Sequence, residues 1–134
     1  MGTVVVGFVP KPEGQAALDR GIEEAKLRGA RVVVVNSHRG GGEFDQDDSS
    51  RADKEMEAVM AKLDAAGVEH EIRKLVPGFE PAEDLISIAE DADAELIVIG
   101  LRRRSPVGKL ILGSNAQRIL LDAKCPVLAV KADA

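Results

Sequence analysis

Four short runs of almost uninterrupted apolar residues, many of them β-branched, punctuate the chain: Thr3–Val9, Arg31–Val35, Glu95–Ile99 and Pro126–Val130. Runs of this length and composition predict strands covered on both faces. A fifth segment, Glu69–Leu75, alternates charged and apolar residues, with Ile72 and Leu75 apolar, and predicts an edge or half-covered strand. Between these runs the apolar spacing changes to that of helices. Pro12 suits a first helical position, Ala17, Leu18, Ile22 and Ala25 recur on one face, and Gly29 stands where a C-terminal cap belongs. Ser50, followed three positions later by Asp53, opens a second helix whose stripe of Met56, Val59, Met60 and Leu63 ends at Gly67. Pro81 begins a third, with Leu85, Ile86 and Ala89 inward. Ser114 with Gln117 is a capping-box pattern for a fourth, whose Ala116, Ile119, Leu120 and Ala123 face the core.

The order is βαβαβαβαβ. Buried strands alternating with helices of this length pair in parallel through right-handed crossovers, so the pattern predicts an α/β fold: a single doubly wound open sheet of five parallel strands. The length of 134 residues fits one domain over 1–134, and 45% hydrophobic with 31% charged residues is the composition of a globular chain. Two segments stay irregular: Ser37–Ser49, expected to be a mobile surface loop, and Gly100–Gly113.

Composition then removes several classes of function. The longest apolar runs, such as Val32–Val35 and Leu96–Ile99, are far too short to span a bilayer, and no basic region followed by a long apolar stretch opens the chain. No membrane partner and a cytoplasmic location are expected. A lone cysteine, Cys125, cannot form an internal disulfide, and two histidines are too few for most zinc sites. The absence of Trp and Tyr removes the platforms on which single-stranded nucleic acids stack, and a net charge of -5 repels phosphate backbones, so no nucleic-acid partner is expected. Cys125 reads as a small buried filler, His70 as a surface side chain between Glu69 and Glu71, and Asp45, Asp47 and Asp48 as a solvated acidic run without the full calcium-loop pattern. His38 follows a strand, but no nucleophile converges on it.

The net charge conceals an asymmetry. Residues 1–99 carry 11 basic and 21 acidic side chains, whereas residues 100–134 carry 7 basic and 2 acidic ones. In open sheets of this kind ligands bind beyond the carboxyl ends of the strands, where the winding direction reverses. The segment Gly100–Gly113 follows a central strand, contains Arg102, Arg103, Arg104 and Lys109, and ends at Gly113-Ser114, where a helix begins. A helix N-terminus offers unpaired amides and the positive end of a dipole, glycine permits close backbone approach, and Ser114 adds a hydroxyl. Ser114 capping its own helix and Gly113 turning the chain would explain those two residues without a ligand. Three consecutive arginines, whose mutual repulsion an anion relieves, favour the anion site.

The stretch GLRRRSPVGKLILGSNAQRILLDAKCPVLAVK, Gly100–Lys131, resembles the C-terminal signature of the universal stress protein family. The opening VVVGFVPKPEGQAALDRGIEEA resembles that family's first strand and helix, and DAELIVIGLR its fourth strand. The resemblance implies a five-stranded parallel domain of the adenine nucleotide alpha hydrolase-like type, commonly a homodimer, with an ATP-binding subgroup and another that does not bind it. The ATP-binding pattern is Gly, two residues, Gly, nine residues, Gly, then Ser or Thr. Gly100, Gly113 and Ser114 match it, while Arg103 stands at the second glycine. The family also places an acidic residue at the end of its first strand, where this chain has Val9. The resemblance therefore implies ATP, with magnesium possible, held by the amides of Gly113, Ser114 and Asn115, by the Ser114 hydroxyl and by Arg102 or Arg103, with Val9 and Ile99 walling base or sugar beside Gly100.

Other phosphate motifs fail. A P-loop ending at Gly108-Lys109 needs glycine at 103 and Ser or Thr at 110, where Arg103 and Leu110 stand, and Gly7 to Gly14 lacks the dinucleotide spacing. Receiver domains require acidic residues that Val9 and Leu75-Val76-Pro77-Gly78 do not supply. No nucleophile, base or metal set is evident, so the expected function is adenine-nucleotide binding that alters partner contacts, with at most slow ATP hydrolysis. The alternative is a nucleotide-free dimer whose Arg-rich loop binds an acidic partner. An enzyme acting on a phosphorylated metabolite ranks last. The apolar last strand, 126–130, is expected to pair two copies if it lies at the sheet edge.

Overall fold

Valine runs dominate the core because a central parallel strand has no solvent face to which polar residues could alternate. In the computed structural model, which describes residues 2–9, 11–36, 46–74, 81–102 and 114–132 (backbone only at 46–53 and 102), the strands are β1 (Thr3–Phe8), β2 (Arg31–Asn36), β3 (His70–Lys74), β4 (Leu96–Arg102) and β5 (Val127–Ala132). The helices are α1 (Pro12–Arg28), α2 (Gln46–Ala66), α3 (Pro81–Asp91) and α4 (Ser114–Asp122). The sheet is parallel throughout, in the order β3-β2-β1-β4-β5. The doubly wound α/β expectation is therefore met, and β3 and β5 are the edges.

Alternate residues divide the core into two layers. Val4, Val6, Phe8, Val32, Val34, Leu96 and Val98 pack under α1 and α2, meeting Leu18, Ile22, Val59 and Leu63. Val5, Val33, Val35, Ile97, Ile99 and Leu101 pack under α3 and α4, meeting Ala82, Leu85, Ala89 and Ile119. Each fully buried side chain of this size contributes about 1.5–3 kcal/mol.

Some boundaries differ from those predicted. β4 continues through Gly100, Leu101 and Arg102, residues expected to lie in a loop, because Leu101 extends the row of Ile97 and Ile99 and β5 pairs alongside as far as Arg102↔Ala132. α2 starts at Gln46 instead of Ser50, so that Asp47 and Asp48 occupy a first turn where the helix dipole favours acids. The rest of the expected loop, 37–45, lies outside the described residues, as do His38, Asp45 and Leu75. Met60 and Leu120, expected inward, are 48% and 38% exposed. Each follows a buried residue, Val59 or Ile119, and the rotation of about 100° per helical residue turns it off the core face. His70 is partly buried instead of lying on the surface: its Nδ1 is 3.0 Å from the Val68 carbonyl and its Nε2 3.4 Å from Asp64.

Helix α1 lies chiefly over β1, β4 and β5, and comes very close to two of them. A Cβ at Gly100 would fall on the carbonyl oxygen of Glu13, and a Cβ at Gly14 on the backbone of Val9. Gly21 rests in the same way on the Val6 side chain. Backbone on backbone cannot yield as a flexible side chain can. Gly100→Ala is therefore expected to cost about 1–3 kcal/mol, the usual penalty of an overpacked core, and to lower the midpoint of thermal unfolding followed by circular dichroism by roughly 5–10 °C. An unchanged midpoint would show that α1 is not seated on β4 in this way.

Candidate functional site

The pairing of β1 with β4 ends at Val6↔Val98, whereas β1 stays paired with β2 to Phe8↔Asn36 and β4 with β5 to Arg102↔Ala132. The two central strands thus part at their carboxyl ends, and they part where the winding reverses: β2 and β3 lie on one side of β1, β4 and β5 on the other. This is the position at which doubly wound sheets receive ligands.

Four features border the opening. Val9, half-buried, follows β1, and its carbonyl accepts a 2.8 Å hydrogen bond from the Lys11 amide. The first turn of α1 comes next. Lys11 is its N-cap in extended backbone without a side-chain cap, and the Lys11 carbonyl accepts from the amides of Gly14 (2.9 Å) and Gln15 (3.1 Å). The third feature is the end of β4, Ile99 to Arg102. Ser114 and Asn115, both exposed, are the first two residues of α4.

The sequence-predicted residues separate into groups. Ser114 and Asn115 stand at an accessible helix N-terminus, as the pattern required. Gly100 faces α1, and that packing requires a glycine before any ligand is considered. Ile99, in the end of β4 that borders the opening, is itself buried in the α3–α4 layer. Arg102 ends β4, while Arg103, Arg104, Lys109 and Gly113 lie outside the described residues.

Sequence reasoning passed over Glu13. It is the second residue of α1, is 6% exposed, and its Oε2 is the buried side-chain oxygen without a hydrogen-bond partner among the described residues. The signal was present: Glu13 precedes Ala17 by four positions and Gly21 by eight, on the same buried row of α1. Farther along, Arg118 of α4 forms ion pairs with Glu83 of α3 and with Asp122, joining the two helices of that layer. These charges are well exposed, and pairs of that kind contribute little to stability.

A separate cavity of about 300 Å3 lies at the opposite end of β4, lined by Ile86, Ala89, Asp93, Ala94, Lys124 and Cys125 among others. It shares no residue with the opening. Cys125 is only partly buried, so it is less of a core filler than expected. Among the described residues no helix is long and apolar enough to cross a membrane.

An open parallel sheet whose central strands part at the winding reversal, with an accessible helix N-terminus at α4, defines a small doubly wound α/β domain. The chain belongs to the universal stress protein family: the family model matches residues 1–131. A universal stress protein of Mycolicibacterium smegmatis is 46% identical over 96% of this chain and 96% of its own length. The solved structure of a universal stress protein from Archaeoglobus fulgidus is 39% identical with a TM-score of 0.79, covering 98% of both chains. Another from the same organism, in complex with dAMP, is 33% identical with a TM-score of 0.73, again covering 98% of both.

Burial pushes the Cys125 thiol above its ordinary pKa, outweighing the backbone hydrogen bond that acts in the other direction. Since the thiolate is the reactive form, alkylation of Cys125 by iodoacetamide at pH 7–8 is expected to be several-fold slower than that of free cysteine. Its rate should climb with pH through a midpoint above that of the free thiol. A rate equal to that of the free thiol would contradict this.

Proposed function

We propose that this universal stress protein binds an adenine nucleotide across the opening between β1 and β4 and acts through the contacts that the bound state presents, not through efficient catalysis. The observation that carries the reading is the accessible N-terminus of α4 beside the parted ends of the central strands, in a chain 33% identical to a relative solved with dAMP. In this reading the amides of Gly113, Ser114 and Asn115 and the Ser114 hydroxyl hold phosphate oxygens. Arg102 and Arg103 offset phosphate charge, and a guanidinium can do so through two parallel hydrogen bonds. Val9 and Ile99 wall the base or sugar beside Gly100. ATP is the nucleotide proposed. Among the described residues no three acidic or His/Cys side chains converge, so a magnesium ion would be carried by the phosphates and its own waters.

Strand β5 supports a further part of the reading, a homodimer through the last strand. It is an edge strand, and Val127, Leu128, Ala129 and Val130 are each half-buried, which leaves apolar surface and a row of unpaired backbone groups along one side. Light scattering behind size-exclusion chromatography at tens of micromolar is expected to give twice the mass of the 14.2 kDa chain. A monomer at that concentration would refute the dimer.

A thermal-shift titration with ATP, ADP, AMP, dAMP and inorganic phosphate, each with and without magnesium, tests the nucleotide. A nucleotide at about 100 times its Kd adds roughly 2.7 kcal/mol of stability, a rise of several degrees, and phosphate alone should add much less. Ser114→Ala removes a hydrogen bond to a charged group and is expected to weaken binding at least tenfold or so. Arg103→Gly should weaken binding if the arginine holds phosphate and strengthen it if the side chain obstructs approach. No response to any nucleotide, combined with salt-sensitive capture of an acidic protein, would select the alternative of an Arg-rich interaction module.

A further inference from the structure

Glu13 is more than nine-tenths buried, yet one of its carboxylate oxygens has no hydrogen-bond partner among the described residues. Its neighbours on the buried row of α1, Ala17 and Gly21, are small and uncharged, so packing alone gives no reason for an acid there. Removing a carboxylate from water without a donor is costly, and the dipole of α1 recovers only part of that cost. Helical side chains lean toward the N-terminus of their helix. Because α1 begins where β1 ends, Glu13 stands in the helical turn nearest the edge at which β1 and β4 part. The Glu13 carbonyl lies against Gly100, at the start of the segment assigned above to phosphate.

Resting on the nucleotide reading above, we infer that Glu13 is the ribose-reading residue of this site, its free oxygen accepting a hydrogen bond from a sugar hydroxyl. An ionised carboxylate only accepts hydrogen bonds. Phosphates are anionic and cannot supply one, so the available donors of an adenine nucleotide are the ribose hydroxyls and the exocyclic amine. The ribose is the part bonded to the phosphates, and Glu13 stands at the beginning of the phosphate segment. Val9 provides no acid at the end of β1, and its backbone is in direct contact with Gly14, so Glu13 supplies the carboxylate within one helical turn of that place.

The test is calorimetric titration of the intact protein with AMP, 2′-deoxy-AMP, 3′-deoxy-AMP and inosine monophosphate, on the native chain and on Glu13→Gln, which keeps the size and removes the charge. AMP is expected to bind the native chain at least tenfold more tightly than one or both deoxy forms, and Glu13→Gln to bring that ratio to within about twofold. Inosine monophosphate should follow AMP in its response to the substitution. The parallel variant Glu13→Ala should also abolish the discrimination. Full discrimination retained in a folded Glu13→Gln would overturn the assignment while leaving nucleotide binding intact. A discrimination that tracks the amine, lost with inosine instead of the deoxy sugars, would overturn it as well. If Glu13 is instead tied to a guanidinium of the Arg-rich segment, Glu13→Gln will lower the unfolding midpoint and leave the sugar ratio unchanged, which refutes the inference. No binding of any nucleotide by the native chain would overturn both this inference and the reading on which it rests.

Discussion

The close approach of the first turn of α1 to β4 organises this end of the molecule. At Gly100 and Gly14 main chain meets main chain, and a single methyl group at either position would occupy space already held by a carbonyl or peptide unit. A helix lying on a sheet is held away from it by the side chains between them. Where a glycine removes the intervening side chain the helix can descend, and at Gly14 and Gly100 it descends where β1 and β4 have stopped pairing. The first turn of α1 therefore serves both as packing and as one wall of the cleft. A substitution that lifts it alters stability and site together.

That descent also explains how a glutamate comes to be buried. A residue at the second position of a helix is ordinarily at the surface, where an acid gains from the dipole at little cost. Once α1 is seated on Gly100, the same position is enclosed, and the carboxylate loses water without gaining a described donor. Structures keep such groups when something else at the site needs them, because a neutral side chain of similar size would fold more easily. The local rule is broken at the point where doubly wound sheets receive ligands, and at the mouth of a segment, 100–113, that carries four basic and no acidic side chains.

Most of the fold was legible because a two-faced parallel strand and a one-faced helix leave different apolar periods. Val4 to Val6 and Val32 to Val35 could hardly be read otherwise, and Gly29, at φ 63°, ends α1 where the sequence placed it. Ends set by tertiary context were less legible. Gly100 read as a loop glycine because glycine weakens a strand, yet β5 pairing beside it carries β4 onward to Arg102. Met60 and Leu120 looked inward because hydrophobicity alone does not resolve one residue of helical rotation. The start of α4 at Ser114 was legible through the logic of helix termini, whereas the burial of Glu13 was not. Nothing local distinguishes an acid that favours a dipole from one that α1 packing will enclose.

The two edges of the sheet are built differently, and the difference bears on how a bound ligand could be sensed. β3 presents His70, Glu71, Arg73 and Lys74, with Arg73 donating to Glu71 at 2.9 Å, and charge of this kind discourages another strand from adding. β5 offers four consecutive apolar residues, with a single charge, the exposed Lys131, near its end. Association through β5 would place the partner one strand from β4, whose register with β5 runs on to the residues that border the cleft. A ligand that orders the ends of β4 and α4 in the bound state would bias the β5 edge through that shared ladder. Thermodynamic linkage then requires the partner to change the affinity for the ligand by the same factor. In the reading of this chain as a nucleotide-binding protein, the short path from the cleft to the apolar edge would give nucleotide occupancy a route to partner contacts.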